Sequence, residues 1–413
     1  MPDNWRHWRR TPLSWAAGEG NDEVVKLLLG LEGVDPNIAD RDGRTPLSWA
    51  AASGKDEVVR LLLGRKDVNP NESDRGGGTP LSWAAYRGRY GVVELLLGRK
   101  DVNPDMPDND GRTPVLAAAA GGRDRVVELL LERIDVNPNT ADNTGRTPLS
   151  WAAASGKRGA VQLLRGCEDV NPDMPGNGGR TQPLWTAMSG YDRAVKLLLR
   201  CQNINPDVSD EDGRTPLLWA AMSGNDGVLQ LLLGREDVNP NVPDSAGRTP
   251  LLCAVRFGYY GAVKLLLRCQ NVNPNMTDSF GRTPLSWAAA RGKDEVVRLL
   301  LGREDVNPDI LDNGGRTALL WAARYGRDRV VKILLRCQNV NPNMTDSVGR
   351  TPLSWGAASS NDEVVQLLLA REDVNPDILD NDGRTPLWWA SSTLNERGVN
   401  LLRARQSANH NAV

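Results

Sequence analysis

The chain has 413 residues, 40% hydrophobic and 25% charged, which is enough apolar material for a large folded body and excludes a disordered or fibrous chain. Its formal net charge is -2, with Lys and Arg scattered among Asp and Glu, so there is no basic stripe to neutralise nucleic-acid phosphates or anionic lipid. The opening MPDNWRHWRR has no apolar stretch after its charges, and no apolar run approaches the ~20 residues that span a bilayer. The sequence therefore predicts a soluble, cytoplasmic, monomeric protein, with neither nucleic acid nor membrane as a partner.

One residue pattern organises everything else. Thr11, Thr45, Thr79, Thr113, Thr147, Thr181, Thr215, Thr249, Thr283, Thr317, Thr351 and Thr385 stand 34 residues apart, giving twelve units without insertion. The second unit shows how each is built. Thr45 has the hydroxyl of a helix cap, Pro46 fits the first helical position, and Gly54 closes the element. Asp56 opens a second helix in which Val58, Val59, Leu61, Leu62 and Leu63 form a broad apolar stripe ending at Gly64. The stretch DVNPNESDRGG is too rich in Asn, Asp, Pro and Gly for a third helix and predicts turns and an extended finger.

Helices of roughly eight to ten residues are marginal alone, and one unit cannot cover its own stripe, so stacking is obligatory. At ~8 to 10 Å per helix layer, the array would extend to roughly 100 Å around a single curved core. In chain order, residues 1–10 read as a partial leading finger. Met1-Pro2-Asp3-Asn4 repeats Met106 to Asn109 inside a later unit, so the chain is expected to begin partway through a finger of something longer. Residues 11–384 read as repeats one to eleven, and 385–413 as a C-terminal capping repeat and tail. In that last unit Gly398 and Arg403 replace the apolar residues found at Val58 and Leu63.

The signature TPLSWAA, then V-V-x-L-L-L and DVNP, resembles the ankyrin pattern, so the fold class expected is an all-α ankyrin-repeat solenoid of helix-turn-helix-finger units. Three departures stand out. Where the family usually has His, this chain has Ser14, Ser48, Ser82, Ser150, Ser286 and Ser354, or Leu218, Leu252 and Leu320, so the family's inter-repeat imidazole link is expected to weaken. Ten of the twelve units carry Trp where Leu is usual, for example Trp49, Trp287 and Trp321, and extra burial of this aromatic spine is expected to compensate. The finger is also longer than in the usual 33-residue unit. The combination GRTPLSWAA with LLL-x-R-x-DVNP is similar to the C-terminal arrays of filamentous-fungal NOD-like receptors, a resemblance that implies the sensor portion of a larger receptor.

Catalytic chemistry finds little to work with. The only histidines are His7 and His410, both terminal, so no hydrolase triad can form. Cys167, Cys201, Cys253, Cys269 and Cys337 include no C-x-x-C pair for zinc, and stacked copies at ~8 to 10 Å lie beyond disulfide reach, so reduced thiols and no metal site are expected. RGGGT at Arg75 to Thr79 lacks the Gly-Lys ending of a phosphate loop, so no cofactor is expected. The Arg before each repeat Thr, absent only at Gly78, and the finger Asp four residues earlier are read as local ties between fingers, and the Trp column as core.

What remains is binding by variable residues on a frame of constant ones. The two residues before the first-helix Gly, and the finger position two before the repeat Arg, carry large groups mainly in late units. Arg and aromatic side chains are enriched in binding hot spots. The candidate partner site is therefore Arg256, Phe257, Phe280, Arg291, Arg324, Tyr325 and Val348, with Met222 at its edge and an outpost at Tyr86 and Arg87. The function expected is a non-catalytic protein-protein interaction module, either the sensor portion of a receptor or an adaptor. The alternative is a scaffold tethering several partners along the array.

Overall fold

The computed structural model describes residues 10–171, 179, 181–190, 192–199 and 205–410. His7, Cys201 and the leading finger before Arg10 lie outside these residues, as do the side chains of Trp185 and His410. Only helices and turns are found among the described residues. The helices come in consecutive pairs, such as Pro46–Ser53 with Asp56–Leu63 and Pro284–Ala290 with Asp294–Leu301.

The first helix starts as its sequence dictates. Thr45 is extended, at φ -79° and ψ 166°, and its hydroxyl accepts the Ser48 amide; Pro46 follows, and Gly54 ends the helix at φ +73°. The same Thr cap recurs at Thr11, Thr79, Thr215, Thr283 and Thr351. The second helix places Val58, Val59 and Leu62 in the core while Asp56 and Glu57 occupy its first turn, where the helix dipole favours negative charge.

The phasing predicts one uninterrupted core; by internal contacts the chain divides into two compact units, Met1–Glu211 and Asp212–Val413. The division falls at the end of the repeat that opens TQPLW instead of TPLSW, in which Thr181 makes no side-chain cap. Within the first unit, first helices pack on first helices and second on second, burying Leu47, Ala50, Ala51, Val58, Val59, Leu62 and Val68 with their counterparts in neighbouring repeats. The second unit repeats the arrangement with Leu285, Ala288, Ala289, Val296, Val297, Leu300 and Val306.

Serine takes over the His position without crossing between repeats. The Ser82, Ser150 and Ser286 hydroxyls donate to the carbonyls of Thr79, Thr147 and Thr283 in their own repeats. The links between neighbours come from other groups. Arg65 forks onto Asp67 and sends its third N–H to the Leu29 carbonyl at the end of the preceding second helix, at 2.8 Å; Arg133 does the same with Asp135 and Leu97. Asn37 donates to the Asp67 carbonyl and accepts the Asn69 amide of the next finger. At the junction of the first two repeats, three such bonds, from Arg65, Asn37 and Asn69, join the neighbours.

Fingers among the described residues form tight turns. The Asp312 amide donates to the Arg316 carbonyl and the Gly315 amide to the Asp312 carbonyl. Neighbouring fingers join through the backbone, the Asn313 amide donating to the Phe280 carbonyl at 2.9 Å. That approach needs glycine at position 281, where φ is +76° and a Cβ would stand 2.8 Å from the Asn313 nitrogen.

Candidate functional site

The surface beside the first helices is built from a repeating rung of Asp, Arg and Trp. In the unit that begins at Thr317, Asp312 is 8% exposed. One of its carboxylate oxygens accepts the amides of Gly314 and Arg316, and the other accepts the Trp321 indole N–H at 2.9 Å. The same indole-to-carboxylate bond joins Trp49 to Asp40, Trp83 to Asp74, Trp151 to Asp142, Trp287 to Asp278, Trp355 to Asp346 and Trp389 to Asp380. The finger Arg lies over the indole: Arg316 is 4.8 Å from the Trp321 ring centre, and Arg350 is 3.7 Å from that of Trp389 in the following repeat.

These contacts correct the expectation that the Trp column is core. The described tryptophans of the column are half-buried, and Trp15 is exposed. The reason is geometric: Leu47, Ser48, Ala50 and Ala51 take the inward positions of the helix, leaving Trp49 to lie on the finger, where Asp40 satisfies its N–H. The Arg column does tie fingers, but by Asp and indole. With Trp on the local carboxylate, Arg44, Arg316 and Arg350 reach toward Asp74, Asp346 and Asp380 of the next finger, at 3.5, 3.9 and 3.8 Å, whereas Arg282 shares Asp278 with Trp287. Where Trp is replaced, by Ala117 or Cys253, Arg112 and Arg248 turn back onto Asp108 and Asp244 of their own fingers.

The electrostatics follow from the rung. Burial pushes the Asp278 carboxyl up, but the Arg282 amide, the Trp287 indole and the Arg282 guanidinium outweigh it and hold the group below its ordinary value of 3.8. The Arg and Trp groups therefore surround an ionised carboxylate.

Of the late-repeat residues, several gather on this frame. Arg256 and Arg291 lie 5.1 and 5.2 Å from the Trp287 ring centre. Phe280 approaches the same rung through Arg282, which lies 4.7 Å from the Phe280 ring and 3.9 Å from that of Trp287. Tyr325 stacks on Trp321 with centroids 5.5 Å apart and planes 11° apart, and Arg324 sits 4.4 Å over Trp355. Phe257, Phe280, Tyr325 and Val348 are exposed, whereas Met222 is half-buried. Phe257 pairs with Tyr259, the ring centroids 6.4 Å apart. At the outpost, Tyr86 is exposed and Arg87 lies 6.0 Å from the Trp83 ring.

Sequence reasoning passed over Trp287, Trp321 and Trp355 themselves, on which these side chains rest. Their signal was present in the constant nine-residue spacing from finger Asp to Trp, which ties the indole to the finger and not to the interior.

Capped helix pairs joined by hairpin fingers at a fixed period are an ankyrin arrangement, and the family described as "Ankyrin repeats (3 copies)" matches residues 13–106, 81–174, 184–278, 262–346 and 330–413. The chain belongs to the ankyrin-repeat family. No curated protein matches it. Ankyrin repeats are generally non-catalytic protein-protein interaction modules, so the exposed aromatic and Arg groups are read against that role.

Two further features of this ankyrin array bear on chemistry. The described thiols Cys167, Cys253, Cys269 and Cys337 are free, and burial raises the Cys253 thiol to about 12, which keeps it protonated and unreactive at neutral pH. No helix among the described residues is long and apolar enough to cross a membrane.

In the first unit a groove of about 800 Å³ opens among Trp83, Tyr86, Arg112, Ala117, Ala120 and Trp151. It coincides with two adjacent exceptions to the rung, Gly78 in place of Arg and Ala117 in place of Trp.

Proposed function

We propose that this ankyrin array is a cytoplasmic recognition module, the sensor portion of a receptor or an adaptor, which engages a protein partner through the late-repeat surface of Arg256, Phe257, Phe280, Arg291, Arg324, Tyr325 and Val348. The observation that carries the reading is the clustering of exposed aromatics and arginines on a rigid Trp frame: Tyr325 on Trp321, Arg324 over Trp355, and Arg256 with Arg291 around Trp287. Side chains held by stacking lose little freedom on binding, and Arg and Tyr offer contact area with a polar handle.

A scaffold would use the uniform rungs along the whole length, whereas a sensor uses the places where large exposed groups interrupt them. The concentration of Phe257, Phe280 and Tyr325 in the later repeats favours the sensor. The test is affinity capture from an extract of the native cell, comparing the wild-type chain with Phe257→Ala plus Tyr325→Ala. A partner retained by the wild type and lost by a variant with an unchanged melting curve supports the reading. Equal recovery by both chains refutes it, and several partners captured independently along the array favour the scaffold.

A further inference from the structure

The groove in the first unit is a gap in an otherwise regular lattice. Among the described residues, the finger arginines Arg10, Arg44, Arg146, Arg214, Arg282, Arg316, Arg350 and Arg384 each lie over a Trp ring. Arg112 lies over no aromatic ring among the described residues: its own repeat carries Ala117 where the indole would be, and its guanidinium is paired with Asp108 and Asp110. It is also more open than its counterparts: its side chain is 44% exposed, against 26% for Arg44, 27% for Arg316 and 19% for Arg350.

Loss of Trp alone does not produce a groove. In the unit with Cys253, the preceding finger keeps Arg214, Arg248 is 19% exposed, and Cys253 is fully buried. At Ala117 the preceding finger has Gly78, so the Arg that would have leaned across is missing as well, and Ala117 is left half-buried at the groove wall. The two vacancies together leave a slot with aromatic walls at Trp83, Tyr86 and Trp151, a small floor at Ala117 and Ala120, and a guanidinium without a ring at Arg112.

We infer that this slot receives an aromatic side chain, a Trp above all, from a partner polypeptide, and that the incoming ring completes the missing rung by lying beside Ala117 against the face of Arg112. Two observations select an aromatic over a basic side chain. The Asp108 carboxylate that would greet a cation is already held by Arg112, whose Nε donates to it at 2.8 Å, and Arg44 already lies 4.4 Å over Trp83. The vacant element is thus the ring and not the charge, and a guanidinium face without a ring is the feature that an aromatic quadrupole complements. The inference rests on the reading of the array as a protein-binding module, but the slot belongs to the first unit and is tested apart from the late-repeat surface.

The experiment is saturation-transfer NMR on the full chain with N-acetyl-tryptophanamide, whose capped ends mimic a peptide residue, and separately with N-acetyl-argininamide. The Trp probe gives a signal that falls at least fivefold in Ala117→Trp, which fills the slot with the residue ten of the repeats carry, and at least twofold in Tyr86→Ala, which removes an exposed wall. Absence of a signal from the wild type, equal signals from all three chains, or a stronger signal from the arginine probe each overturns the proposal. Should Ala117→Trp fail to fold, Tyr86→Ala decides the matter. Failure here leaves the outcome of the Phe257→Ala plus Tyr325→Ala capture untouched, so the two readings fail separately.

Discussion

The Trp321 indole donates to the Asp312 carboxylate, nine residues earlier, at 2.9 Å, while the other oxygen of that carboxylate holds two finger amides. One buried Asp thereby fixes both the finger turn and the position of the ring that supports Arg324 and Tyr325. Trp321→Phe keeps the ring and deletes the donor. It is expected to destabilise the chain by about 1 to 3 kcal/mol, the usual cost of stranding a buried polar group, measured by urea unfolding. A change within error would show that solvent satisfies Asp312 unaided.

Five fingers carry Asp, among them Asp105 and Asp309, where the others have the linking Asn. Asn71 donates to the Asp101 carbonyl, but Asp105 and Asp309, at the same register, each leave Oδ1 buried without a hydrogen-bond partner, and burial raises both carboxyls above 3.8. Asp105→Asn and Asp309→Asn are each expected to stabilise by about 0.5 to 1.5 kcal/mol by supplying the missing donor. A raised folded value means that the wild-type penalty is absent below 3.8 and grows as pH rises through the folded value. The advantage of the Asn variants is therefore largest near neutrality and shrinks toward pH 4, which thermal melts across pH will show or deny.

Asp278 has the opposite sign. Its folded value lies below 3.8, so its stabilisation is complete above that value and is lost as pH falls through the lower folded one. Asp278→Asn, which cannot accept both the amides and the indole, is expected to cost about 1 to 3 kcal/mol at neutral pH. The gap from wild type should narrow below pH 3.8 in acid titrations of stability. A gap that stays constant through that range would refute the assignment.

Ser360 and Leu394 occupy the register where Gly54, Gly88 and Gly326 close the first helix, and both adopt left-handed backbone, at φ 53° and 56°. Leu394 is 88% exposed, so its side chain contributes little packing in return. Ser360→Gly and Leu394→Gly are each expected to stabilise by about 0.5 to 1 kcal/mol, the relief of left-handed strain less the added chain entropy, read as raised unfolding midpoints. Lowered midpoints would show a side-chain contact that outweighs the strain.

The candidate surface was legible in part. Phe257, Phe280 and Tyr325 stand out because they interrupt constant columns, and an interruption at a solvent-facing register is visible in one dimension. The Trp residues beneath them were misplaced into the core because an aromatic within an apolar helix reads as buried, and helical spacing alone cannot show that the half-exposed Trp287 lies on a finger carboxylate. Likewise Gly78 and Ala117 are visible as separate exceptions, but nothing in their spacing says that the two gaps open into one groove.

By itself the sequence determined the period, the Thr-capped first helix, the Val and Leu stripe of the second and the turn chemistry of the finger, since each depends on residues close in the chain. Only the tertiary structure decided the partners: the Ser hydroxyls folded back on their own Thr, the Arg65 and Arg133 clasps on the preceding helix ends, and the reach of Arg44 to the next finger's Asp74 where Arg248 keeps to its own Asp244. Those partners come from neighbouring repeats or from how neighbours pack, and they exist only once the repeats are stacked.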